Sequence, residues 1–307
     1  MKHKPSEGHK MWLSVMAIFL VYAAVFILFE DYDRKVITPF NEESDWHLLL
    51  FSLIVMCGLA FLLFRYARRM DQRISREQAE KENQMRRELT QNIAHELKTP
   101  VASILGYTET ILDNPDMTDD TRQQFIQRTH SQAKLLTALL HDISTLNKMD
   151  YAPQMMKKEQ VDITALVDDI AQETALNMKR RHMTLHNNLP QQLEVCGNRM
   201  LLYSIFRNLT DNAINYAGEG KTIEITAKAQ RDEWLFTFKD NGTGIPEEHL
   251  PRIFERFYRI DQGRSRDRGG TGLGLAIVKN AVALHGGSIT AKCPHEGGLV
   301  FQFTLKK

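Results

Sequence analysis

Two long apolar runs without charged residues stand near the start of the chain. The first covers residues 11–29 and the second covers residues 48–64. At about 1.5 Å per helical residue, each run is long enough to cross the hydrocarbon layer of a bilayer. The alternatives are a cleaved signal peptide for the first run and a buried core helix for the second. Because EDYDRKV follows the first run without a small-residue cleavage site, the pattern favours two transmembrane helices joined by a short outer loop, residues 30–47.

The charges around these runs predict their orientation. Basic residues precede the first run and follow the second, namely Lys2, Lys4, Lys10, Arg65, Arg68 and Arg69, whereas the intervening loop is net acidic. The positive-inside rule therefore places both termini in the cytoplasm of a multi-pass inner-membrane protein that contacts membrane lipid. Since the outer loop is too short to bury a core of its own, we expect the signal to arrive within the bilayer, through a membrane partner protein, or at the cytoplasmic helix.

A helical pattern continues directly after the second run. Residues 65–84 are highly charged and contain neither glycine nor proline, which predicts a juxtamembrane signalling helix. A solvated linker helix is the alternative. A narrow apolar seam continues from this helix through Leu89 to Leu97, as expected for a helix that packs along one face.

An amphipathic helical hairpin is predicted for residues 85–150. Asn114 and Pro115 end its first helix, and Thr118 can cap the second. The second helix, about residues 119–149, carries an apolar stripe near the 3.6-residue period. One hairpin has little to bury this stripe against, so two copies are expected to form a four-helix bundle, which makes the protein a homodimer.

Beyond residue 154 the pattern changes to a mixture of strands and helices. Strand-like alternation occurs in residues 221–230, 233–240, 287–293 and 299–305, and helical stretches occur at about residues 163–179, 199–217 and 272–285. Residues 155–307 are therefore predicted to form an α/β sandwich. The predicted fold class is multi-domain, with two transmembrane helices in residues 1–64, a helical hairpin, and this α/β domain.

Composition narrows the classes of function. Of 307 residues, 43% are hydrophobic, which is enough for globular cores, and 39 Lys+Arg against 38 Asp+Glu give a formal net charge of +1. This balance offers no argument for a nucleic-acid partner. Cys57, Cys196 and Cys293 match neither a disulfide framework nor a metal motif. A metal ion would therefore need oxygen ligands.

The stretch QNIAHELKTP places His95 beside Glu96 on the predicted helix. A lone histidine on a helix is more often structural than catalytic. An exposed neutral imidazole beside a carboxylate can, however, accept a phosphoryl group that is delivered in line. Thr99 lies one turn after His95 on the same face, and Pro100 is expected to bend the helix.

Two further motifs suit a nucleotide. NLTDNAINY spaces Asn208 and Asn212 so that both project from one helix face, where their amide oxygens suit Mg²⁺. In DNGTGIP, Asp240 can accept a hydrogen bond from an amino group, while Gly242 and Gly244 let the backbone approach a flat ligand. An ordinary polar helix face and a plain turn are the respective alternatives.

A glycine-rich stretch, GGTGLGLAIVK, precedes the last predicted helix. Gly270, Gly272 and Gly274 lie where unpaired backbone N–H groups and the helix dipole attract phosphate. The βαβ context of a dinucleotide fold is missing from the pattern. The preceding residues 245–270 are a candidate lid over the nucleotide, and solvated arginines are the alternative for their basic positions.

Five motifs in this order, HELKTP, NLTDNAINY, DNGTGIP, FERFYRID and GGTGLGLAIVK, resemble the membrane-bound sensor histidine kinases of two-component systems, which have a HisKA-type hairpin and a Bergerat-type ATP-binding domain. The resemblance covers about residues 85–307. It implies autophosphorylation by Mg-ATP and transfer of the phosphoryl group to an aspartate of a cytoplasmic response regulator. By resemblance, His95 is the phosphoacceptor, Glu96 its general base, and Thr99 the residue that positions water for dephosphorylating the regulator.

The resemblance also implies roles around the nucleotide. Asn212 is the direct magnesium ligand with Asn208 in support, Asp240 reads the adenine amino group, and Arg259 of FERFYRID reaches the terminal phosphate. The remaining nucleotide-binding positions implied by the motifs are Tyr216, Gly242, Gly244, Gly270, Thr271, Gly272, Leu273 and Gly274.

One position departs from the family pattern. Where many relatives carry a basic residue after NAI, this chain has Asn215. A neutral side chain there removes one phosphate contact, so the rate of autophosphorylation is expected to be the property affected. Two rival functions stay open. The first is an ATPase that uses the same nucleotide fold for conformational work, and the second is a degenerate kinase that acts as a membrane docking module, to which Asn215 would contribute.

Overall fold

The structure is a computed structural model that describes residues 45–151, 157–260 and 270–307, together with Met16, Leu20, Ala23 and Ile27. The chain divides into two compact units, Met1–Glu88 and Leu89–Lys307. Apart from those four positions, the first predicted span and residues 30–44 of the predicted outer loop lie outside the described residues, whereas residues 45–47 of that loop are helical. No helix within the described ranges is long and apolar enough to cross a membrane, so the two spans remain predictions.

Two long helices form the predicted hairpin. Helix α1 runs from Asp45 to Asp113, and helix α2 runs from Asp119 to Tyr151. Between them, the backbone N–H of Met117 donates to the carbonyl oxygen of Asn114, and the hydroxyl of Thr118 accepts from the N–H of Thr121 at 3.4 Å. The predicted break and the predicted capping residue are thereby confirmed.

Pro100 lies buried inside α1 without ending it. A proline in a helix interior lacks the N–H that would bond to the preceding turn. The helix nevertheless continues for three more turns beyond it, and the bend expected there stays a prediction.

The α/β domain consists of a five-stranded sheet covered by three helices. In chain order its elements are β1 (Glu159–Asp162), α3 (Ile163–Arg180), β2 (Thr184–Asn188), β3 (Glu194–Gly197), α4 (Arg199–Tyr216), β4 (Thr222–Ala229), β5 (Glu233–Asp240), a 3₁₀ turn (Glu247–His249), α5 (Gly274–Leu284), β6 (Ile289–Lys292) and β7 (Val300–Lys306). The strand order is β2-β4-β5-β7-β6, with β2 parallel to β4 and the other pairs antiparallel. Strands β1 and β3 form a separate antiparallel pair.

Aromatic side chains join α4 to the sheet. Phe206 contacts Phe236 and Phe303 edge-on, at ring-centroid distances of 5.6 and 5.7 Å, and the latter two rings stack at 5.2 Å. All three are at most 1% exposed. Alternate residues of β4, β5 and β7 are buried in the same way, as a sheet with one covered face requires. The core therefore fixes α4, and with it the two predicted magnesium-binding asparagines.

Short polar side chains fix the starts of two helices. A carboxylate oxygen of Asp162 accepts from the backbone N–H groups of Thr164 and Ala165, and the side chain of Asn198 accepts from the N–H of Leu201. Such caps satisfy donors that a helix cannot satisfy itself. They locate the observed first residues of α3 and α4, in agreement with the sequence prediction.

Candidate phosphotransfer site

The site begins with a histidine that faces solvent. The side chain of His95 is 70% exposed on α1, and its Nδ1 atom lies 3.7 Å from Oε1 of Glu96. The hydroxyl of Thr99 donates to the carbonyl oxygen of His95 at 3.3 Å. This imidazole therefore has an open ring edge for an incoming group and a carboxylate at its other nitrogen.

The same carboxylate meets a cation from the α/β domain. Nη2 of Arg259 lies 3.4 Å from Oε2 of Glu96 and donates to the carbonyl oxygen of Gly270 at 2.5 Å. The Arg259 side chain is only 10% exposed. A partly desolvated guanidinium interacts more strongly with a nearby anion than an exposed one does. Glu96 thus lies between His95 and Arg259, which the sequence separates by 164 positions.

The glycine-rich stretch that follows Arg259 is held in a fixed shape. Gly272 has φ +71, and a Cβ added there would lie 3.1 Å from both Arg259 Nε and Phe257 Cα. The carbonyl oxygen of Gly272 also accepts from the N–H of Phe257 at 2.8 Å. A side chain at this position would be strained and would displace the arginine, so Gly272 sets the position of Arg259.

Thr271 connects this stretch to helix α2. Its hydroxyl accepts from the N–H of Leu273 at 3.2 Å and donates to Oδ2 of Asp142 at 2.8 Å. Burial raises the pKa of the Asp142 carboxyl, and the hydrogen bond from Thr271 and the charge of His141 oppose that rise. The predicted phosphate loop is therefore anchored on the hairpin.

Helix α5 starts against the asparagine face of α4. A Cβ added to Gly274, the first residue of α5, would lie 2.7 Å from Oδ1 of Asn208. The amide nitrogen of Asn208 donates to the carbonyl oxygen of Ser204 at 2.7 Å, which turns its oxygen away from its own helix. An amide oxygen and the N–H groups at a helix start, side by side, suit a cation and the phosphates that accompany it.

Asn212 follows one helical turn after Asn208 and is half-buried, and Tyr216 ends α4 with 41% of its side chain exposed. Within the described ranges there is no group of three or more His, Cys, Asp or Glu residues arranged to hold a metal ion. The amide oxygens of Asn208 and Asn212 fit Mg²⁺, because this ion is commonly bound by few protein oxygens together with water and phosphate.

A buried carboxylate lies at the end of β5. Asp240 is 5% exposed, and its Oδ1 accepts from the N–H groups of Gly242 at 2.8 Å and Leu299 at 3.3 Å. Burial raises the pKa of Asp240, while these two hydrogen bonds and the charge of Lys221 oppose the rise. The carboxyl group is thus held rigidly with one oxygen already engaged.

The two glycines after Asp240 have no room for a side chain. A Cβ on Gly242 would lie 2.6 Å from Cα of Ala217, the residue after α4, and a Cβ on Gly244, with φ +69, would lie 2.9 Å from the carbonyl oxygen of Gly298. Close packing here brings the end of α4 next to DNGTGIP. The α4 motif and the DNGTGIP motif therefore lie next to each other, and a nucleotide site shared by both stays a prediction.

Besides the contact between Arg259 and Glu96, two contacting pairs were missed by the sequence analysis. Nη2 of Arg256 lies 3.0 and 2.8 Å from the two carboxylate oxygens of Asp150, and Thr271 binds Asp142 as described above. Arg256 lies in the FERFYRID motif, so the sequence shows a basic residue at this position. Nothing local indicated that its partner would be an acid 106 positions earlier in the chain.

Two family models match the chain. The His Kinase A (phospho-acceptor) domain matches residues 85–152, and the model described as "Histidine kinase-, DNA gyrase B-, and HSP90-like ATPase" matches residues 197–307. Together they cover more than half of the chain, and each matches one of the two structural parts that meet at Glu96 and Arg259.

Curated relatives and solved structures that are similar to this chain include sensor proteins and histidine kinases. Sensor protein SrrB of Staphylococcus aureus, strains MRSA252 and NCTC 8325, is 34% identical over 231 residues, which cover 73% of this chain and 39% of SrrB. The chain thus spans about two fifths of the length of these relatives. The histidine kinase AdeS of Acinetobacter baumannii has a similar fold, with a TM-score of 0.58, 22% identity, and coverage of 69% of this chain and 97% of AdeS. Histidine kinase ThkA in complex with response regulator protein TrrA matches with a TM-score of 0.57 and 21% identity, covering 72% of this chain and 61% of that one.

Proposed function

The chain belongs to the histidine kinase family, and we propose that it transfers the terminal phosphoryl group of ATP to His95 and then to an aspartate of a response regulator. The observation that carries this proposal is a pair of contacts made by Glu96. Its carboxylate lies 3.7 Å from the ring of His95 and 3.4 Å from the guanidinium of Arg259. An acceptor, a base and a cation for the phosphoryl group thereby come from two domains to one place.

The chemical step follows from these three side chains. In the neutral imidazole with its proton on Nδ1, the lone pair on Nε2 forms a bond to the terminal phosphorus, and the bond from that phosphorus to the bridging oxygen breaks, so that ADP leaves. The Nδ1 proton passes to Glu96, whose carboxylate lies beside that nitrogen. Arg259 stabilises the negative charge on the phosphoryl oxygens during transfer.

The ATP molecule is proposed to bind between α4, DNGTGIP and the start of α5. Oδ1 of Asp240 already accepts from backbone N–H groups, so its Oδ2 is proposed to accept a hydrogen bond from the adenine amino group. Gly242 and Gly244 allow the ring to lie against the backbone. Tyr216 lies at the end of α4 beside this region. Asn212, with support from Asn208, would hold Mg²⁺, which would neutralise charge on the phosphates.

The phosphate end is proposed to lie at the five residues that precede and begin α5, Gly270, Thr271, Gly272, Leu273 and Gly274. Backbone N–H groups at a helix start attract anions because they have no partner within the helix. The support is the start of α5, where the side chain of the N-cap residue Leu273 makes no capping hydrogen bond to the helix.

A cytoplasmic response regulator is the proposed partner. The P–N bond of phosphohistidine is labile, so an aspartate that approaches the exposed His95 can take the phosphoryl group.

We further propose that Thr99 positions water for removing the phosphoryl group from the regulator. The expected result is that Thr99→Ala loses this dephosphorylation while Thr108→Ala, a matched threonine further along α1, keeps it; equal rates in both variants would contradict the role of Thr99.

We also propose that the protein is a homodimer through its hairpin. Large apolar side chains of α1 and α2 are exposed in the single chain, namely Val101, Leu105, Leu112, Ile126 and Leu140. A second hairpin that packs against them forms a four-helix bundle. Analytical ultracentrifugation of the detergent-solubilised chain should find dimers, and a monomer at micromolar concentration would contradict this.

Anchoring in the inner membrane, with both termini cytoplasmic and the predicted spans at 11–29 and 48–64, is likewise a proposal. Its support is the apolar sequence and the exposure of Leu53, Ile54, Leu59, Phe61 and Leu62 on α1, each more than half exposed. Fractionation should recover the chain in alkali-washed inner membranes. Recovery in the soluble fraction would contradict this anchoring.

Incubation with ATP labelled at the terminal phosphate tests the proposed kinase. We expect acid-labile, alkali-stable label on the wild-type chain and none on His95→Gln. Phosphate release without labelled protein would instead support the rival ATPase. Nucleotide binding with neither label nor release would support the docking module, with Asn215 as the first position to replace by lysine.

A further inference from the structure

We propose that His249, which lies outside all five sequence motifs, is a positioning residue for the transfer of the phosphoryl group. It holds the side chain of Tyr258 and thereby fixes the neighbouring Arg259. The inference rests on the proposed function and adds to it a residue that the motifs do not contain. His249 acts through Tyr258 and not by contact with the reacting groups.

Arg259 can stabilise a phosphoryl group efficiently only if its guanidinium is held in place before the reaction. Within the α/β domain, two contacts with the glycine-rich stretch contribute to this. Nη2 of Arg259 donates to the carbonyl oxygen of Gly270 at 2.5 Å, and a Cβ added to Gly272 would lie 3.1 Å from its Nε. Both contacts act on the side chain, so the backbone that carries Arg259 needs support of its own.

The backbone just before Arg259 has a conformation that is rare for its residue type. Phe257 has φ +63, in the left-handed region, where a bulky side chain is strained. Its N–H donates to the carbonyl oxygen of Gly272 at 2.8 Å. A strained residue keeps such a conformation only where the surrounding contacts hold it. Gly272 supplies one of these contacts, and Tyr258, the next residue in the chain, is placed to supply another.

The hydroxyl of Tyr258 is held by His249. It lies 2.7 Å from Nδ1 of His249, which precedes it by nine positions, and the contact is partly buried. Nε2 of the same ring lies 3.6 Å from Oε1 of Glu248. We assign the ring proton to Nε2, beside this carboxylate, so that Nδ1 accepts from the Tyr258 hydroxyl. This hydrogen bond fixes the side chain that lies directly before Arg259 in the chain.

His249 is a firm support because its own backbone is hydrogen-bonded on both sides. Its N–H donates to the carbonyl oxygen of Pro246 at 3.0 Å, and its carbonyl oxygen accepts from the N–H groups of Arg252 and Ile253 at 2.9 and 3.1 Å. Ile253 is 7% exposed and belongs to the hydrophobic core. The guanidinium of Arg252 also lies over the ring of Tyr258, at 4.4 Å, but Arg252 is 57% exposed, and a solvated cation orients a ring less firmly than a hydrogen bond does. His249 thus connects Tyr258 to the core of the domain.

Two replacements of the same shape test this role in the full chain. His249→Asn keeps an acceptor oxygen at the position of Nδ1, whereas His249→Leu has the same branched outline without an acceptor. Tyr258→Phe removes the donor of the same hydrogen bond. Tyr203→Phe is the control, because it removes from α4 a tyrosine hydroxyl that donates to Glu173.

At saturating ATP, His249→Leu and Tyr258→Phe should each take up label about tenfold more slowly than wild type, because misplacing a group at the reaction can cost up to about 100-fold. The apparent KM for ATP should not change, and His249→Asn and Tyr203→Phe should stay within about twofold of wild type. The double variant His249→Leu with Tyr258→Phe should be no slower than either single variant, since both remove one bond. Wild-type rates in His249→Leu, or equal losses in His249→Asn and His249→Leu, would overturn the inference.

Hydrogen exchange separates this inference from the proposed function. In the full chain without ATP, the backbone N–H groups of residues 254–260 should exchange faster in His249→Leu and Tyr258→Phe than in wild type, His249→Asn and Tyr203→Phe. Equal exchange in all five proteins would overturn the inference, whether or not the chain is a kinase. If the wild-type chain takes up no label, the proposed kinase activity fails, whereas the expected exchange pattern would still support the fixing of this segment by His249.

Discussion

Nη2 of Arg259 lies 3.4 Å from Oε2 of Glu96, and the other oxygen of that carboxylate lies 3.7 Å from Nδ1 of His95. In the proposed reaction, helix α1 supplies the acceptor and the base, and the segment before α5 supplies the cation. The carboxylate therefore has two neighbours of different kind: an imidazole, which can give up a proton, and a guanidinium, which only donates hydrogen bonds. Under the proposed function, the two domains must therefore meet for the reaction to occur.

Replacing Arg259 by alanine is expected to slow autophosphorylation about 100-fold, because removing one preorganised charge donor costs roughly that factor or more. The apparent affinity for ATP should change little, since the adenine is proposed to be read elsewhere, at Asp240. Initial rates of labelling at several ATP concentrations separate the two effects. Arg252→Ala, which removes an exposed arginine of the same segment, is the matched control. An equal loss in both variants would mean that Arg259 acts only through the fold of this segment.

Replacing Asp240 by asparagine is expected to weaken ATP binding by about 10- to 100-fold, the range for losing a hydrogen bond to a charged group. Preference for ATP over GTP should fall by a similar factor. Competition against a fluorescent ATP analogue measures both. Asp232→Asn, in the exposed turn before β5, is the control for the loss of one charge. Unchanged ATP affinity in Asp240→Asn would remove Asp240 from the nucleotide site.

Exchanging the charges of Asp150 and Arg256 tests whether their ion pair positions the α/β domain on the hairpin. Asp150→Arg and Arg256→Asp should each reduce autophosphorylation about tenfold with ATP affinity unchanged, and the double variant should recover most of the rate. Recovery distinguishes a direct pair from two independent structural effects. If both single variants keep the wild-type rate, this contact does not position the domain.

The elements with strong local patterns were predictable, and those defined by distant partners were not. Helices α3 and α4 were predicted to within one residue at each end, because their apolar spacing and their capping residues Asp162 and Asn198 are local signals. Strands β1, β2 and β3 were missed, because their sequences EQVD, TLHNN and EVCG contain few apolar residues to show an alternation. In β2, TLHNN is largely polar because the strand lies at the edge of the sheet.

The candidate site shows the same division. Asn208 and Asn212 share a face because helical spacing guarantees it, and Gly242 and Gly244 follow Asp240 directly in the sequence. The contact between Thr271 and Asp142 joins residues 129 positions apart. No periodicity or spacing encodes such a pair, which arises only when the two domains pack together. Roles that depend on packing between domains therefore became visible only in the structure.

His285 should make stability depend on pH. The ring is 5% exposed, its Nδ1–H donates to the carbonyl oxygen of Ala281 at 2.7 Å, and its Nε2 accepts from the N–H of Asn198 at 3.0 Å. This arrangement requires the neutral ring. Burial lowers the pKa of His285 below its ordinary value of 6.5; the nearby charge of Lys158 lowers it further, and the bond to Ala281 opposes this.

The direction of the pH effect follows from the number of protons that the unfolded and the folded chain bind. Below about pH 6.5 the unfolded chain binds a proton at position 285 that the folded chain excludes, so the free energy of unfolding falls as the pH falls through this value. The stability advantage of wild type over His285→Gln is therefore expected to be largest at pH 7.5 and to shrink by pH 5.5. Urea denaturation of the two proteins measures the difference, with the exposed His186→Gln as control. A difference that stays constant with pH would contradict this role for His285.

Locating the phosphoryl group after incubation with Mg-ATP tests the central claim most directly. Tandem mass spectrometry of the chain, digested at alkaline pH to preserve the P–N bond, should find the group on the imidazole of His95, and a sample incubated with Mg-ADP should lack it. A phosphoryl group on another residue, with an unmodified His95 peptide recovered in full, would contradict the account.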